Sequence, residues 1–251
     1  MSEGKVSVEI KNGIGTITFF HPKKNSLPGS LLRELTKTIK ELGENDKALV
    51  IILASEGDGP FCAGASFDEL LSIKNFGQGK EFFMGFARVI LAMKKAPKFV
   101  IARVQGKTVG GGVGIISAAD YALALNSASI KLSELNLGIG PFVIEPAVVR
   151  KIGLVAFKAM TIDSEWRTAE WAKNQGLFAE TFDEIDSLDK AVSSLTKKLT
   201  ENSPRAMKEL KSVFWEGTEN WDQLLKKRAE ISGKLVLSDF TKKYIEAFKT
   251  K

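Results

Sequence analysis

The stretch Phe99-Val100-Ile101-Ala102-Arg103-Val104-Gln105-Gly106-Lys107-Thr108-Val109-Gly110-Gly111-Gly112-Val113-Gly114-Ile115-Ile116-Ser117-Ala118-Ala119 decides how this chain is read. It opens on a β-prone apolar run, passes through a glycine cluster and closes on a short apolar segment. That order predicts a strand, a tight turn and a buried helix over 113–119. The first N–H groups of a helix have no intrahelical partner, and the dipole there favours negative charge. Glycine lets a ligand approach the backbone closely. The turn is therefore a candidate anion or oxyanion site; tight helix–sheet packing is the other open reading. No Gly-Lys-Ser/Thr follows the cluster, and no Gly-x-Gly-x-x-Gly occurs in order, which excludes both common nucleotide loops.

Outward from this stretch the pattern repeats. Residues 48–54, Ala-Leu-Val-Ile-Ile-Leu-Ala, are continuously apolar, as in a strand covered on both faces. They precede a second glycine-containing loop, Phe61-Cys62-Ala63-Gly64-Ala65-Ser66-Phe67. Val6, Val8 and Ile10 lead through Asn12-Gly13 to Ile14 and Thr16–Phe20, a hairpin signature. Leu31, Leu35, Ile39 and Leu42 recur at helical spacing before Gly43. Tyr121–Leu125 is strand-like again, so the class is α/β. After about residue 155 the character changes. Helices are expected from Glu165 to Gln175 and over 188–199, 206–214 and 224–248. The expected organisation is a core over 1–195 and a helical oligomerisation region over 196–251.

The chain has 251 residues, 36 lysines and arginines and 30 aspartates and glutamates, a net charge of +6. This excess is mild and dispersed, unlike the basic stripe of a nucleic-acid binder. One cysteine, Cys62, and one histidine, His21, exclude an intrachain disulfide and a Cys/His zinc site. A serine triad could use only His21, beside Pro22 at a loop start. No apolar run approaches the length of a membrane span, and the first residues carry no apolar leader. The expectation is a soluble cytoplasmic protein with neither nucleic acid nor membrane as partner.

A third segment, Lys131-Leu132-Ser133-Glu134-Leu135-Asn136-Leu137-Gly138-Ile139-Gly140-Pro141-Phe142, places one acid among apolar neighbours. A carboxyl so placed has a raised pKa and can serve as a general acid/base. A helix-cap or salt-bridge role is equally open for Glu134.

Together, FCAGASFDEL (61–70), QGKTVGGGVGIISAAD (105–120) and SELNLG (133–138) resemble the crotonase superfamily, the enoyl-CoA hydratase/isomerase family. Pro22–Leu27, Thr168–Ala172 with Gly176-Leu177, and Ile245–Phe248 extend the resemblance along nearly the whole chain. It implies a crotonase-like spiral of ββα units with a helical C-terminal region used in trimer or hexamer packing. It also implies an acyl-CoA thioester substrate, with no cofactor beyond the coenzyme A of that substrate and no metal. The implied chemistry is a thioester enolate held by the N–H groups of Ala65 and Gly111. The substrate wall would include Ala63, Gly110, Gly114, Pro141 and Phe142. The CoA contacts would be Lys23, Lys24, Ser26 and Leu27, with Phe248 and Lys251 reaching a neighbouring subunit's ligand. Surface or packing roles are the alternative for these last two groups.

Hydratases of the family use two glutamates, and Glu134 matches one of them. The other position is Gly114. A lone carboxyl can still carry a proton between C2 and C4, so the resemblance favours double-bond isomerisation. A modified hydration mechanism, with a branched substrate or with Glu145 as replacement acid, is the alternative; a thioester-binding subunit without turnover is a third reading.

Overall fold

The computed structural model describes residues 4–249, with side chains up to Ala247. The strands are β1 (Lys5–Lys11), β2 (Ile14–Phe20), β3 (Val50–Ser55), β4 (Val100–Val104), β5 (Thr108–Val109), β6 (Tyr121–Leu125), β7 (Ser129–Lys131), β8 (Arg167–Thr168) and β9 (Glu180–Phe182). The helices are α1 (Gly29–Glu44), α2 (Phe67–Ser72), α3 (Phe76–Lys95), α4 (Gly111–Ala118), α5 (Glu145–Asp163), α6 (Ala169–Asn174), α7 (Ile185–Thr200), α8 (Pro204–Phe214), α9 (Trp221–Leu235) and α10 (Asp239–Lys249).

The main sheet has the order β1-β2-β3-β4-β6-β9. Its pairs are parallel except for the β1–β2 hairpin at one edge. Asn12 and Gly13 both adopt positive φ, as a two-residue turn matched to strand twist requires. β3 is buried at every position. Ile51 and Leu53 join the core with α1 and α3, whereas Val50, Ile52 and Ala54 pack with Leu188 and Val192 of α7. The apolar run at 48–54 thus reflects two covered faces. Residue 195 falls inside α7, whose Leu188, Val192 and Leu195 pack on the sheet.

A second, small sheet has the order β5-β7-β8. Isolated bridges attach two further loops through Cys62 with Thr108 and Leu27 with Ala65. Three loops from the ends of main-sheet strands are thereby stitched into one surface. Ligands of open α/β sheets characteristically sit beyond the carboxyl ends of strands.

Two expectations are corrected. Residues 165–168 are not helical: Thr168 Oγ1 accepts from Trp171 N and caps α6, while Arg167–Thr168 pairs with β7. The segment 224–248 is two helices, broken between Leu235 and Asp239. The helical spacing carried across the break because Val236 and Ile245 are both buried.

At the amino ends of β4 and β6, Lys211 of α8 is 2% exposed and donates to Asp120 Oδ2 at 2.8 Å and to the Lys98 carbonyl at 2.7 Å. Asp120 Oδ2 also accepts from Val100 N. Lys151 donates to the carbonyls of Ala119 and Asp120 at the end of α4. Removing one partner of a buried ion pair strands the other charge. Lys211→Met is therefore expected to lower unfolding free energy by about 3–5 kcal/mol, read as a drop in the urea midpoint.

Candidate active site

The site is assembled on the small sheet. Gly64, at φ +87, turns the chain after Cys62 so that its carbonyl accepts from Leu27 N at 2.8 Å. Ser66 N then donates to Leu27 O, and the Ser66 hydroxyl caps α2 by accepting from Glu69 N. Ala65 N lies between these bonds, and among the described residues it has no protein acceptor. Across the cavity, Gly110 N donates to Lys131 O at 2.9 Å, and α4 begins at Gly111. The Gly111 N–H likewise has no acceptor among the described residues. Both residues line one inner chamber of about 60 Å³.

Glu134 lines the same chamber from the turn after β7, which its carbonyl closes by accepting from Ile139 N and Gly140 N. The residue as a whole is partly exposed, but its Oε2 is buried and has no hydrogen-bond partner. Burial pushes its pKa up to about 7, against the opposing pull of the Glu134 and Ser133 main-chain N–H groups. Gly110 runs through φ +54, ψ −119, and a Cβ there would stand 2.7 Å from Glu134 Oε1. Only glycine meets both conditions. Cys62 is wholly buried, and burial pushes its thiol up to about 12, so it is a packing group.

Ala65 and Gly111, whose amides have no acceptor among the described residues, line a chamber together with a carboxyl whose pKa burial raises to about 7. Such an arrangement can stabilise negative charge on an acyl oxygen while moving a proton. The sequence profile of the enoyl-CoA hydratase/isomerase family matches residues 9–251. The chain belongs to the enoyl-CoA hydratase/isomerase family. It is 26% identical over 251 residues to the short-chain-enoyl-CoA hydratase of Clostridium acetobutylicum, covering 99% of this chain and 95% of that protein. It is 30% identical over 200 residues to the mitochondrial methylglutaconyl-CoA hydratase of Rattus norvegicus, covering 78% and 63% respectively. An enoyl-CoA hydratase from Bacillus halodurans superposes with a TM-score of 0.90 at 25% identity, over 96% of this chain and 99% of that one. Crotonase-fold neighbours of this kind establish the α/β spiral with its C-terminal helices, in an enzyme family acting on enoyl-CoA thioesters.

The structure brings together most of the residues singled out in the sequence. Ala63, Ala65, Gly110, Gly111, Glu134, Pro141 and Phe142 line the inner chamber. Ala63, Ala65 and Ser133 also line an outer cavity of about 690 Å³, with Lys23, Lys24 and Ser26. Ser26 Oγ lies 2.9 Å from His21 Nδ1, and Lys23 is ion-paired to Asp68. Leu27 is a correction: its side chain is fully buried and lines neither cavity, and its main chain positions Ala65 instead. Gly114 is another, lying outside both linings because Ile144 covers it. A Cβ on Gly114 would overlap Ile144 Cγ2 and Cβ. Glu145 faces away, ion-paired to Arg228 at 3.4 Å. The Phe248 side chain and Lys251 lie outside the described residues.

Several residues were not legible as site residues in the sequence. Asn25, buried at φ +55, pins the lysine loop by donating to the Glu56 and Pro60 carbonyls and accepting from His21 N. Lys107, Lys131, Trp166 and Tyr244 line the outer cavity. Ser232 reaches the inner chamber from α9. Positive φ at a non-glycine in Lys-Asn is the one signal a sequence could offer, since asparagine tolerates it. The others are joined only by long-range packing.

Two outcomes follow from this geometry. Gly114→Ala is expected to destabilise the fold by about 1–3 kcal/mol through overpacking, with partial recovery in the Gly114→Ala/Ile144→Ala double variant, measured by urea unfolding. Glu134 keeps its proton in the native state up to about pH 7, whereas the unfolded carboxyl releases it near 4.5. Native stability must then fall as pH rises through that window and level off above it. Glu134→Gln lacks this loss, so its stability advantage over wild type should widen from pH 5 to pH 8 by on the order of 2–3 kcal/mol.

Proposed function

We propose that this protein moves the double bond of short 3-enoyl-CoA thioesters to the 2-position, using Glu134 as the single proton carrier. The observation that carries this reading is the apolar wall at Gly114. Ile144 fills the space where a second carboxylate would stand, and Glu145 is engaged elsewhere. Glu134 is the one acid lining the inner chamber among the described residues.

In the proposed reaction the thioester oxygen sits between the amides of Ala65 and Gly111. The Glu134 carboxylate takes a proton from C2. The C–H electron pair moves toward the carbonyl, giving a dienolate whose oxygen both N–H groups stabilise. Removal of one such donor in other enzymes costs roughly 2.7–4 kcal/mol of transition-state stabilisation. The Glu134 carboxyl then returns the proton to C4, and the conjugated 2-enoyl thioester forms. A carboxyl with a pKa near 7 is suited to both halves, accepting and releasing at similar free-energy cost. The scheme needs no metal or redox group. Phe83, Phe86 and Phe142 close the chamber of about 60 Å³, which supports a short acyl group. The loop of Lys23, Lys24 and Ser26 would meet the carrier arm of the thioester.

An oligomer of identical chains, a trimer or a pair of trimers, belongs to the same reading. Exposed Leu154, Val155 and Ile162 on α5, with Leu210, Val213 and Phe214 on α8, support such association. Cytoplasmic residence is also part of this reading, and no helix of the described residues is long and apolar enough to cross a membrane.

A second reading, hydration, is favoured by the names of the relatives at 26–30% identity. One experiment separates the two: proton NMR of a 3-enoyl-CoA and of a 2-enoyl-CoA, each with enzyme in D2O. Isomerisation yields the 2-enoyl product with deuterium entering at C2 or C4, and no 3-hydroxyacyl signal. Appearance of the 3-hydroxyacyl thioester at comparable rate sinks the isomerase reading. Glu134→Gln should lower turnover at least about a hundredfold, the usual scale of a lost general base.

A further inference from the structure

We propose that the Ser232 hydroxyl makes the inner chamber selective for acyl groups that carry a neutral oxygen, a ketone or a hydroxyl, at their distal end. The inference deepens the thioester reading above and rests on it for the ligand; it does not depend on which reaction follows.

Helix packing puts Ser232 there. α9 meets α3 at Gly233 and Gly79, where a Cβ on Gly79 would stand 2.7 Å from the Gly233 carbonyl oxygen and one on Gly233 2.5 Å from Lys80 N. Any side chain larger than hydrogen would hold the two backbones apart. The adjacent residue, Ser232, is 1% exposed and lines the inner chamber with Phe83 and Phe86 of α3. The chamber opens to the outer cavity at Ala63, Ala65, Phe67, Val109, Ser133 and Leu137, which line both. Ser232 belongs to the inner lining alone, so it meets the part of a ligand that has passed this opening.

The protein leaves this hydroxyl unused. In α1, α4 and α7 the buried hydroxyls of Thr36, Ser117 and Thr196 each donate at 2.8 Å to the carbonyl four residues earlier. That is the local route by which a helix satisfies such a group. Ser232 makes no bond of this kind to Arg228, and its hydroxyl has no partner among the described residues. A buried polar group left unpaired is unfavourable, so a ligand oxygen that pairs with it is preferred to a methyl group that does not. The other polar side chains of the chamber are Ser133, at the opening, and Glu134, the proposed proton carrier. Among the described residues no lysine or arginine lines the chamber. Arg228, one turn before Ser232, is ion-paired to Glu145. A distal carboxylate would therefore be buried without a cation. A ketone or hydroxyl needs only the one hydrogen bond.

The test is calorimetric titration of the full-length protein with three thioesters of one size: 5-oxohexanoyl-CoA, 5-methylhexanoyl-CoA and glutaryl-CoA. They end in a ketone, a branched hydrocarbon and a carboxylate. None carries a carbon–carbon double bond, so binding is read without isomerisation. Wild type should bind the oxo ligand about tenfold more tightly than the methyl ligand, the reverse of their order in hydrophobicity. Ser232→Ala should weaken the oxo ligand about tenfold and leave the methyl ligand within about twofold. Tighter binding of the methyl ligand by wild type, or an equal change for both ligands in Ser232→Ala, would overturn the assignment. The first of these readings needs no variant. Glutaryl-CoA bound more tightly than the oxo ligand would overturn the neutral-oxygen class in favour of a distal carboxylate. Selectivity for the oxo ligand, in a protein that leaves 3-enoyl thioesters unchanged, keeps the role of Ser232 and removes only the isomerase reading. Isomerisation without that selectivity removes only the role of Ser232.

Discussion

The contact between the Gly110 backbone and the Glu134 carboxyl is the constraint on which the site depends. The main chain passes so close that a single methyl group would stand 2.7 Å from Oε1. Gly110 is also the residue that precedes α4, at φ +54, so the same backbone turn leads into the helix that starts at Gly111. The carboxyl beside it is buried: Oε2 has no hydrogen-bond partner, and burial pushes the pKa up to about 7. An unpaired buried polar atom is ordinarily unfavourable by about 1–3 kcal/mol. Here the unpaired atom belongs to an acid that lines the inner chamber, and a proposed proton carrier must remain unpaired.

The small sheet explains how three loops hold this arrangement. β5, β7 and β8 contribute few residues, yet their hydrogen bonds fix the offsets between Ala65, Gly111, Glu134 and Trp166. Beneath them the parallel strands are buried on both faces and present their carboxyl ends together. Site residues on loops are thereby held by ladder geometry, with side chains such as Asn25 pinning the loops further. This suits the proposed oxyanion site of main-chain donors, because such donors move only if the ladder moves.

Family membership and local chemistry constrain the function differently. Membership supplies the substrate class, since residues 9–251 match the enoyl-CoA hydratase/isomerase profile. The proposed isomerisation rests on what stands beside Gly114. The side chain there is contributed by Ile144, thirty positions along the chain, and it leaves the chamber with an apolar wall where a two-acid mechanism would need a carboxylate.

Much of this was determined by the sequence alone. The hairpin at Asn12-Gly13, the doubly covered strand at 48–54, the glycine turn before α4 and the acid of the 133–138 turn were all legible, because each is a local pattern of period, turn chemistry or charge. The break between α9 and α10 and the strand at Arg167–Thr168 were not, because apolar spacing continued through the first and pairing with β7 created the second. Tertiary structure alone decided that Leu27 supports Ala65 from the core, that Ile144 covers Gly114, and that Ser232 reaches the inner chamber. The physical reason is the same in each case: these relations arise where distant segments pack or pair, and no periodicity within a segment records which side chain will fill a neighbour's space.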